Sequence, residues 1–396
     1  MTIASANWSY PTKVWFGPGR IGELASACKE IGISRPLFVT DPGITNLPMV
    51  HSALASLQDA GIAARVFDAL QGNPTSVNLA DGVTAYRQGG HDGVIAFGGG
   101  SALDVGKTVA LMIGQSRPVW DFEDIGDNWR RASADAIAPI IAIPTTAGTG
   151  SEVGRATVIS DADNHVKKII FHPAMLPRIA ILDPELTVGL PPSLTAGTGM
   201  DALSHAIEAF CAPSYHPMAD AIAMEAVRLV KDYLPRAVRA GDDIEARGQM
   251  MSAATMGATA FQKGLGAVHS VSHPIGAIYG VHHGLTNGVV MPYVLAFNAP
   301  AIGEKMQRLA AYLGLSVGKS GSAAVRAIND WILELRSEIG IPATIADLGV
   351  EKEKFGDIAR LAVVDPTAGT NPIPLTEENV RELLGEMHSG TVRKVA

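Results

Sequence analysis

The chain has 396 residues, 47% apolar and only 18% charged, with a net charge of −8. At about 150 residues per domain this predicts two or three domains, and the low charge density excludes a disordered, self-solvating chain. The acidic balance, with no run of Lys and Arg, excludes general attraction to nucleic acid or an anionic membrane. Cys28 and Cys211 are too few for a disulfide framework or an all-thiolate zinc site. Met1 to Phe16 carries no signal-peptide pattern, and no apolar stretch is expected to reach the roughly 20 residues that span a bilayer. The expectation is a cytoplasmic protein.

In chain order, Trp8 to Phe16 reads as an edge strand. Short apolar, β-branched runs follow, each with a turn signal beside it. Pro36–Thr40 ends at Asp41-Pro42-Gly43, and Ala64–Phe67 follows Ala60-Gly61. Gly93–Phe97 runs into Gly98-Gly99-Gly100, and Pro139–Ile143 into Pro144-Thr145-Thr146. Segments of helical length, such as Met49–Ala60 and Ser101–Ile113, lie between them. Continuous apolar strands separated by helices predict a parallel sheet covered on both faces. Further short strands are expected at Thr157–Ile159 and Ile179–Leu182. Beyond Asp183-Pro184 strand signals become scarce, and helices are predicted at Thr195–Cys211, Pro217–Leu234, Glu304–Leu313, Ala323–Ile339 and Glu377–Met387. The fold class is therefore α/β plus all-α, with domains at 1–187 and 188–396.

Gly98-Gly99-Gly100-Ser101 sits where a strand meets a helix. Glycines let the backbone turn tightly against a pyrophosphate, and the helix start offers unpaired N–H groups. Asp104, three residues after Ser101, has capping-box spacing. A plain capped turn explains this motif alone equally well. The second polar cluster, Thr145-Thr146-Ala147-Gly148-Thr149-Gly150-Ser151-Glu152, follows the next strand, also at its carboxyl end. In open α/β sheets ligands bind outside those ends. Asp41 is placed to accept hydrogen bonds from a ribose diol and to repel a 2′-phosphate, which favours NAD over NADP. A turn initiator at Asp41-Pro42-Gly43 is the equal alternative.

Histidine clusters in the second half. A window of 15 residues among 396 holding 11 histidines should contain about 0.4 by chance. His269, His273, His282 and His283 all fall between 269 and 283. His269 and His273 would share a helix face, as would Asp201 and His205. Such carboxylate and imidazole pairs suit Zn(II) or Fe(II). Glu208 reads as a solvated helix position, with a role in orienting a ligand as the lesser alternative, and Cys211 as a small buried apolar group.

Together these segments resemble the iron-containing, or group III, alcohol dehydrogenase family over nearly the full length. The resemblance runs from Val14-Trp15-Phe16-Gly17-Pro18-Gly19 to Asn371-Pro372-Ile373-Pro374-Leu375. Its most specific parts are Gly98 to Asp104, Thr145 to Glu152, Gly199 to Glu208, and Val268 to Pro274 with His283-Gly284. It implies a Rossmann-like N-terminal domain, a helical metal-binding C-terminal domain and a cleft between them. The implied metal ligands are Asp201, His205, His269 and His283, with Fe(II) expected and Zn(II) the alternative. His273 is implied to lie near substrate and nicotinamide, and is expected to relay a proton. Implied cofactor contacts are Asp41, Gly98, Gly99, Ser101, Asp104, Thr145, Thr146, Lys167 and Leu182. The expected substrate is a small alcohol or aldehyde, and the low charge density is compatible with a homodimer or larger homo-oligomer.

Two departures carry expectations of their own. His282 stands where many members have Pro, and could add a proton relay or perturb the ligand set. Lys263 reads as a solvent-facing lysine, with a role in receiving a substrate carboxylate as the alternative. A lyase of the dehydroquinate synthase type and a non-catalytic nucleotide-binding protein are the other functional readings. His205-Ala206-Ile207-Glu208 is not the H-E-x-x-H of a metal hydrolase.

Overall fold

A computed structural model describes residues 12–161, 166–316, 318 and 320–395. The chain divides into two compact units, with the change between Gly189 and Leu190.

The first unit contains β1 (Lys13–Phe16), α1 (Leu24–Ile31), β2 (Pro36–Thr40), α2 (Pro48–Asp59), β3 (Arg65–Phe67), α3 (Ser76–Gly89), β4 (Gly93–Gly98), α4 (Gly100–Met112), β5 (Ile140–Pro144), β6 (Ala156–Asp161), β7 (Val166–Phe171) and β8 (Ile179–Leu182). Six strands form one sheet in the order β1-β8-β5-β4-β2-β3, with every neighbouring pair parallel. β6 and β7 form a separate antiparallel ribbon. Every residue of β2, β4, β5 and β8 is buried, as strands covered on both faces require. Side chains alternate between the faces. Leu37 and Val39 enter one core cluster with Val94 and Val105, while Phe38 enters another with Ile95 and Phe97. β1 is an edge strand that pairs with β8, and residues 8–11 of the expected strand lie outside the described residues.

The second unit is helical among the described residues. It comprises α5 (Pro192–Cys211), α6 (Pro217–Arg239), α7 (Ile244–Ala260), α8 (Ala267–Tyr279), α9 (His283–Tyr312), α10 (Gly321–Glu338), α11 (Phe355–Val364) and α12 (Glu377–Ser389). Every residue of α5 from Thr195 to Cys211 is buried, because α6, α7 and α9 surround it. Three features depart from the sequence expectation. Helices α7 and α11 are not among the expected elements, and α9 begins at His283 rather than Glu304. Pro292 and Pro300 inside α9 read as breakers, yet packing carries the helix through both. By length and composition α9 could cross a membrane, against the expectation that no segment would. However, 78% of its apolar window is buried inside the protein, so it serves as a core helix.

Candidate dinucleotide and metal sites

Parallel pairing puts the carboxyl ends of the strands along one edge of the sheet, with Thr40 opposite Phe97 and Gly98 opposite Pro144. The chain steps outward from β2 to β3, then returns across β2 to place β4 on its other side. Ligand crevices form at such a reversal. Asp41 follows β2, and its Oδ2 accepts the Gly99 N–H at 2.7 Å. Gly98 has φ +153°, and a Cβ there would lie 2.3 Å from Asp41 Oδ2, so only glycine fits. Asp41 Oδ1 makes no hydrogen bond among the described residues, which leaves it able to accept from a ribose hydroxyl. Burial pushes the Asp41 carboxyl above its ordinary pKa, with the Gly99 N–H pulling the other way.

No side chain caps the N-terminus of α4, whose N-cap is Gly99. Its first-turn N–H groups therefore fit a phosphate. The expected Ser101–Asp104 capping box does not form, since Ser101 already lies within the helix. The Asp104 carboxylate instead accepts from Ser151 Oγ at 2.6 Å and Val158 N at 2.9 Å. Lys107 Nζ donates to Ser151 O, Ser151 Oγ and Ala156 O at 2.9, 3.0 and 2.7 Å. Together Asp104 and Lys107 fasten α4 to the polar loop after β5. Burial pushes Asp104 up against the pull of Lys107, and lowers Lys107 to about 8. The charge of Lys167 also acts on Asp104, while its neighbour Lys168 pairs with Asp161 and Glu123 at 3.3 and 3.6 Å. Thr145 N–H donates to Gly98 O at 2.9 Å, and Thr146 Cγ2 lies 3.7 Å from the Cβ position of Gly99. Leu182 ends β8, one strand beyond β5, and its carbonyl accepts from Gly17 N–H at 3.0 Å. The geometry thus gathers Asp41, Gly98, Gly99, Thr145 and Thr146, with Ser101 in the adjoining helix turn and Asp104 behind them.

In the second unit, α5 presents Asp201 and His205 one turn apart, α8 carries His269 and His273, and α9 opens with His283. A Cβ on Gly284 would lie 2.2 Å from Gly197 O, so the missing side chain lets α9 rest against α5. Nε2 of His205, His269 and His283 then lies 3.8, 3.8 and 3.6 Å from one atom, Asp201 Oδ1. Donors about 2.1 Å from a tetrahedral cation are about 3.4 Å apart, close to this spacing. Ligand atoms of Asp201, His205 and His269 all lie within 4.8 Å of one another.

Surrounding residues hold this cluster. Glu208 is 6% exposed, not solvated as expected. Its Oε2 is 2.5 Å from His269 Nδ1, and its Oε1 accepts Val268 N–H at 2.6 Å. A carboxylate only accepts, so His269 is protonated on Nδ1, and Nε2 is the nitrogen it presents to a metal. Asn371 Oδ1 accepts Ala267 N–H at 3.0 Å, giving α8 the cap that Gly266 lacks. Asn287 Nδ2 donates to Asp201 Oδ1 at 2.8 Å and reaches His283 Nε2 at 3.1 Å, while its own Oδ1 is buried without a partner. No Lys or Arg pairs with Asp201 or Glu208 among the described residues. Asp201 facing three imidazole Nε2 atoms, with the buried Glu208 carboxylate behind His269, fits a divalent cation, which would balance the two carboxylate charges.

His273 stands beside this set but does not converge on Asp201. Its Nδ1 is 2.8 Å from Asp365 Oδ2, and its ring stacks on His283 at 5.3 Å between centroids.

A family model described as iron-containing alcohol dehydrogenase matches residues 11–184, and the model of that family's C-terminal part matches 195–388. The chain belongs to the iron-containing alcohol dehydrogenase family. It is 40% identical to a 4-hydroxybutyrate dehydrogenase of Cupriavidus necator, with 95% of this chain and 98% of the relative covered. It is 35% identical to an NAD-dependent methanol dehydrogenase of Bacillus methanolicus, covering 96% and 98%. The crystal structure of a 1,3-propanediol oxidoreductase superposes with a TM-score of 0.92 at 34% identity, covering 96% and 100%. Membership in this family of alcohol dehydrogenases supports hydride transfer over the lyase and non-catalytic readings.

Within this iron-containing alcohol dehydrogenase two sequence departures resolve structurally. His282 is the N-cap of α9, its Nδ1 accepting Leu285 N–H at 3.2 Å. The Lys263 side chain is 1% exposed, pairs with Asp220 and donates to Phe210 O at 3.1 Å. Lys263 therefore does not face solvent, and its ammonium is already engaged rather than offered to a substrate carboxylate. Cys211 is buried, and burial pushes its thiol up to about 12, which keeps it protonated.

Asp365, Thr367 and Asn287 escaped the sequence reading. Asn287 was within reach of it, since it stands four residues after His283 on the same helix face. Asp365-Pro366 reads only as a turn.

Proposed function

We propose that this enzyme transfers hydride between NAD(H) and a small alcohol–aldehyde or alcohol–ketone pair, with a divalent cation held by Asp201, His205, His269 and His283. The observation that carries this reading is the convergence of three imidazole Nε2 atoms on one Asp201 oxygen. Such a cation supplies the Lewis acidity that lowers the pKa of an alcohol hydroxyl, and NAD supplies the hydride acceptor. Fe(II) is the proposed metal and Zn(II) the alternative, because a mixed N/O donor set suits both. Asp201 and Glu208 neutralise the ion's charge, and Glu208 fixes the ring of His269. His273 moves the substrate proton through Nε2. On the nucleotide side, Asp41 accepts from the ribose, while Gly98, Gly99 and Ser101 at the start of α4 receive the pyrophosphate. Thr145, Thr146, Lys167 and Leu182 complete that site, with Asp104 acting through Ser151. Residues 1–187 would thus serve the dinucleotide, and 188–396 the metal and substrate. A cytoplasmic homodimer or larger assembly belongs to this proposal and is checked by light scattering.

The test is an absorbance screen for NADH and NADPH formation by metal-reconstituted protein, using alcohols, diols, hydroxy acids and aldehydes. The relatives that act on 4-hydroxybutyrate, methanol and 1,3-propanediol supply its first members. Metal-loaded protein inert on the whole panel would refute the reading. His273→Ala is expected to lower kcat by about 10²-fold with metal per subunit unchanged by plasma mass spectrometry; lost metal would make His273 a ligand. Asp41→Ser is expected to raise the NADP-over-NAD ratio of kcat/KM by about tenfold or more, equivalent to about 1.4 kcal/mol of relieved repulsion. An unchanged ratio in paired initial-rate assays would remove Asp41 from the ribose.

A further inference from the structure

Asp365 lies just beyond α11, outside the motifs that identify the family. Its side chain is 11% exposed and pairs with no Lys or Arg among the described residues. Oδ1 accepts from Thr367 N–H at 2.9 Å and Thr367 Oγ1 at 2.6 Å. Oδ2 meets His273 Nδ1 at 2.8 Å. The carboxylate is therefore anchored by its own turn on one oxygen and presents the other to the ring. His273 Nε2 makes no hydrogen bond among the described residues. Burial pushes the Asp365 carboxyl up, but His273 and Thr367 outweigh it and hold the group below the usual carboxylate range.

We propose that Asp365 is a positioning residue for His273, fixing its proton on Nδ1 so that Nε2 is the atom that takes and returns the substrate proton. This rests on the role given to His273 above. An ionised carboxylate has no proton to donate, so its bond to the ring requires Nδ1–H and leaves the Nε2 lone pair open. Stacking on His283, with the planes 18° apart, fixes the ring plane as Asp365 fixes its rotation. In alcohol oxidation the hydroxyl proton passes to Nε2, and the carbon's hydrogen leaves with its electron pair for NAD+. The products are a carbonyl compound, NADH and protonated His273, which then releases the proton to solvent. Asp365 stabilises the intervening imidazolium without taking its proton, as the buried Asp does in a Ser-His-Asp triad.

Asp365→Asn is the sharp variant. Its Oδ1 keeps the Thr367 bonds, while the amide nitrogen donates to Nδ1 and forces the proton onto Nε2. We expect kcat to fall about 10²- to 10⁴-fold, with metal content and the KM for NAD+ retained. Nitrogen NMR of zinc-loaded protein carrying labelled histidine should show His273 protonated on Nδ1 in the parent and on Nε2 in the variant. Adding Asp365→Asn to His273→Ala should cost nothing further. Wild-type turnover in Asp365→Asn, with His273→Ala slow, overturns the proposal alone; wild-type turnover in His273→Ala overturns the reading beneath it as well. Should Asp365→Asn not fold, Thr367→Val loosens the same carboxylate and is expected to lower kcat about tenfold, with an unchanged kcat counting against the proposal.

Discussion

Asp201→Ala is expected to strip the divalent metal and to lower kcat by at least about 10³-fold, since Lewis-acid stabilisation supplies several kcal/mol and each tenfold in rate takes about 1.4 kcal/mol. The size of the effect follows from geometry. Asp201 Oδ1 is the one atom approached by Nε2 of His205, His269 and His283, at 3.6 to 3.8 Å. Removing it leaves the three Nε2 atoms with no carboxylate at their centre and frees the Asn287 amide that it accepts. Glu208→Gln separates charge from shape. It keeps the packing but weakens the grip on His269 Nδ1, and should cost about 10- to 100-fold in metal affinity with activity recovered by excess metal. Both are read from metal content after dialysis and from kcat during metal titration. An Asp201→Ala protein that keeps its metal and rate would show that the cation is bound elsewhere.

Lys107→Met is expected to destabilise the first unit by about 3–5 kcal/mol, because it removes three buried hydrogen bonds from a charged donor, each worth about 1.5–3 kcal/mol, offset by the relief of ammonium desolvation. Lys107 is 0% exposed, and its ammonium has three oxygen acceptors from Ser151 and Ala156. Without it those acceptors lose a donor, and Asp104 loses the larger of the two positive charges that act on it. At about 2–4 °C per kcal/mol, calorimetry should register a drop of about 10 °C. Replacing Asp104 with Leu in the same protein should recover part of the loss, because no charge is then stranded. The parent also carries a pH signature. Burial lowers Lys107 from 10.5 to about 8, so across that window the unfolded chain binds more protons than the folded one. Its contribution to stability therefore rises with pH between those values, and Lys107→Met should lack that rise. Equal melting of variant and parent would show that the ammonium is not hydrogen-bonded as described.

Local spacing was enough for much of the architecture. Strands buried on both faces announce themselves as unbroken apolar runs, so β2, β4 and β5 were legible with their helices. A helix repeats every 3.6 residues, so Asp201 with His205 and His269 with His273 could be placed on shared faces. The length of α9 was not legible, because Pro292 and Pro300 mimic an ending that burial overrides. Neither was the antiparallel ribbon of β6 and β7, whose partners are settled by hydrogen bonding outside the sheet.

Environment was the harder property to read. Glu208 and Lys263 look like ordinary solvated charges in a row of letters, yet both are buried against partners 60 and 43 positions away. Asp104 has the spacing of a cap and spends its carboxylate on Ser151 and Val158 instead. The types and periodicity of side chains set which groups could cooperate within an element. Which charge is desolvated, and by whom it is answered, depended on packing between elements, because burial and pairing are properties of neighbours in space.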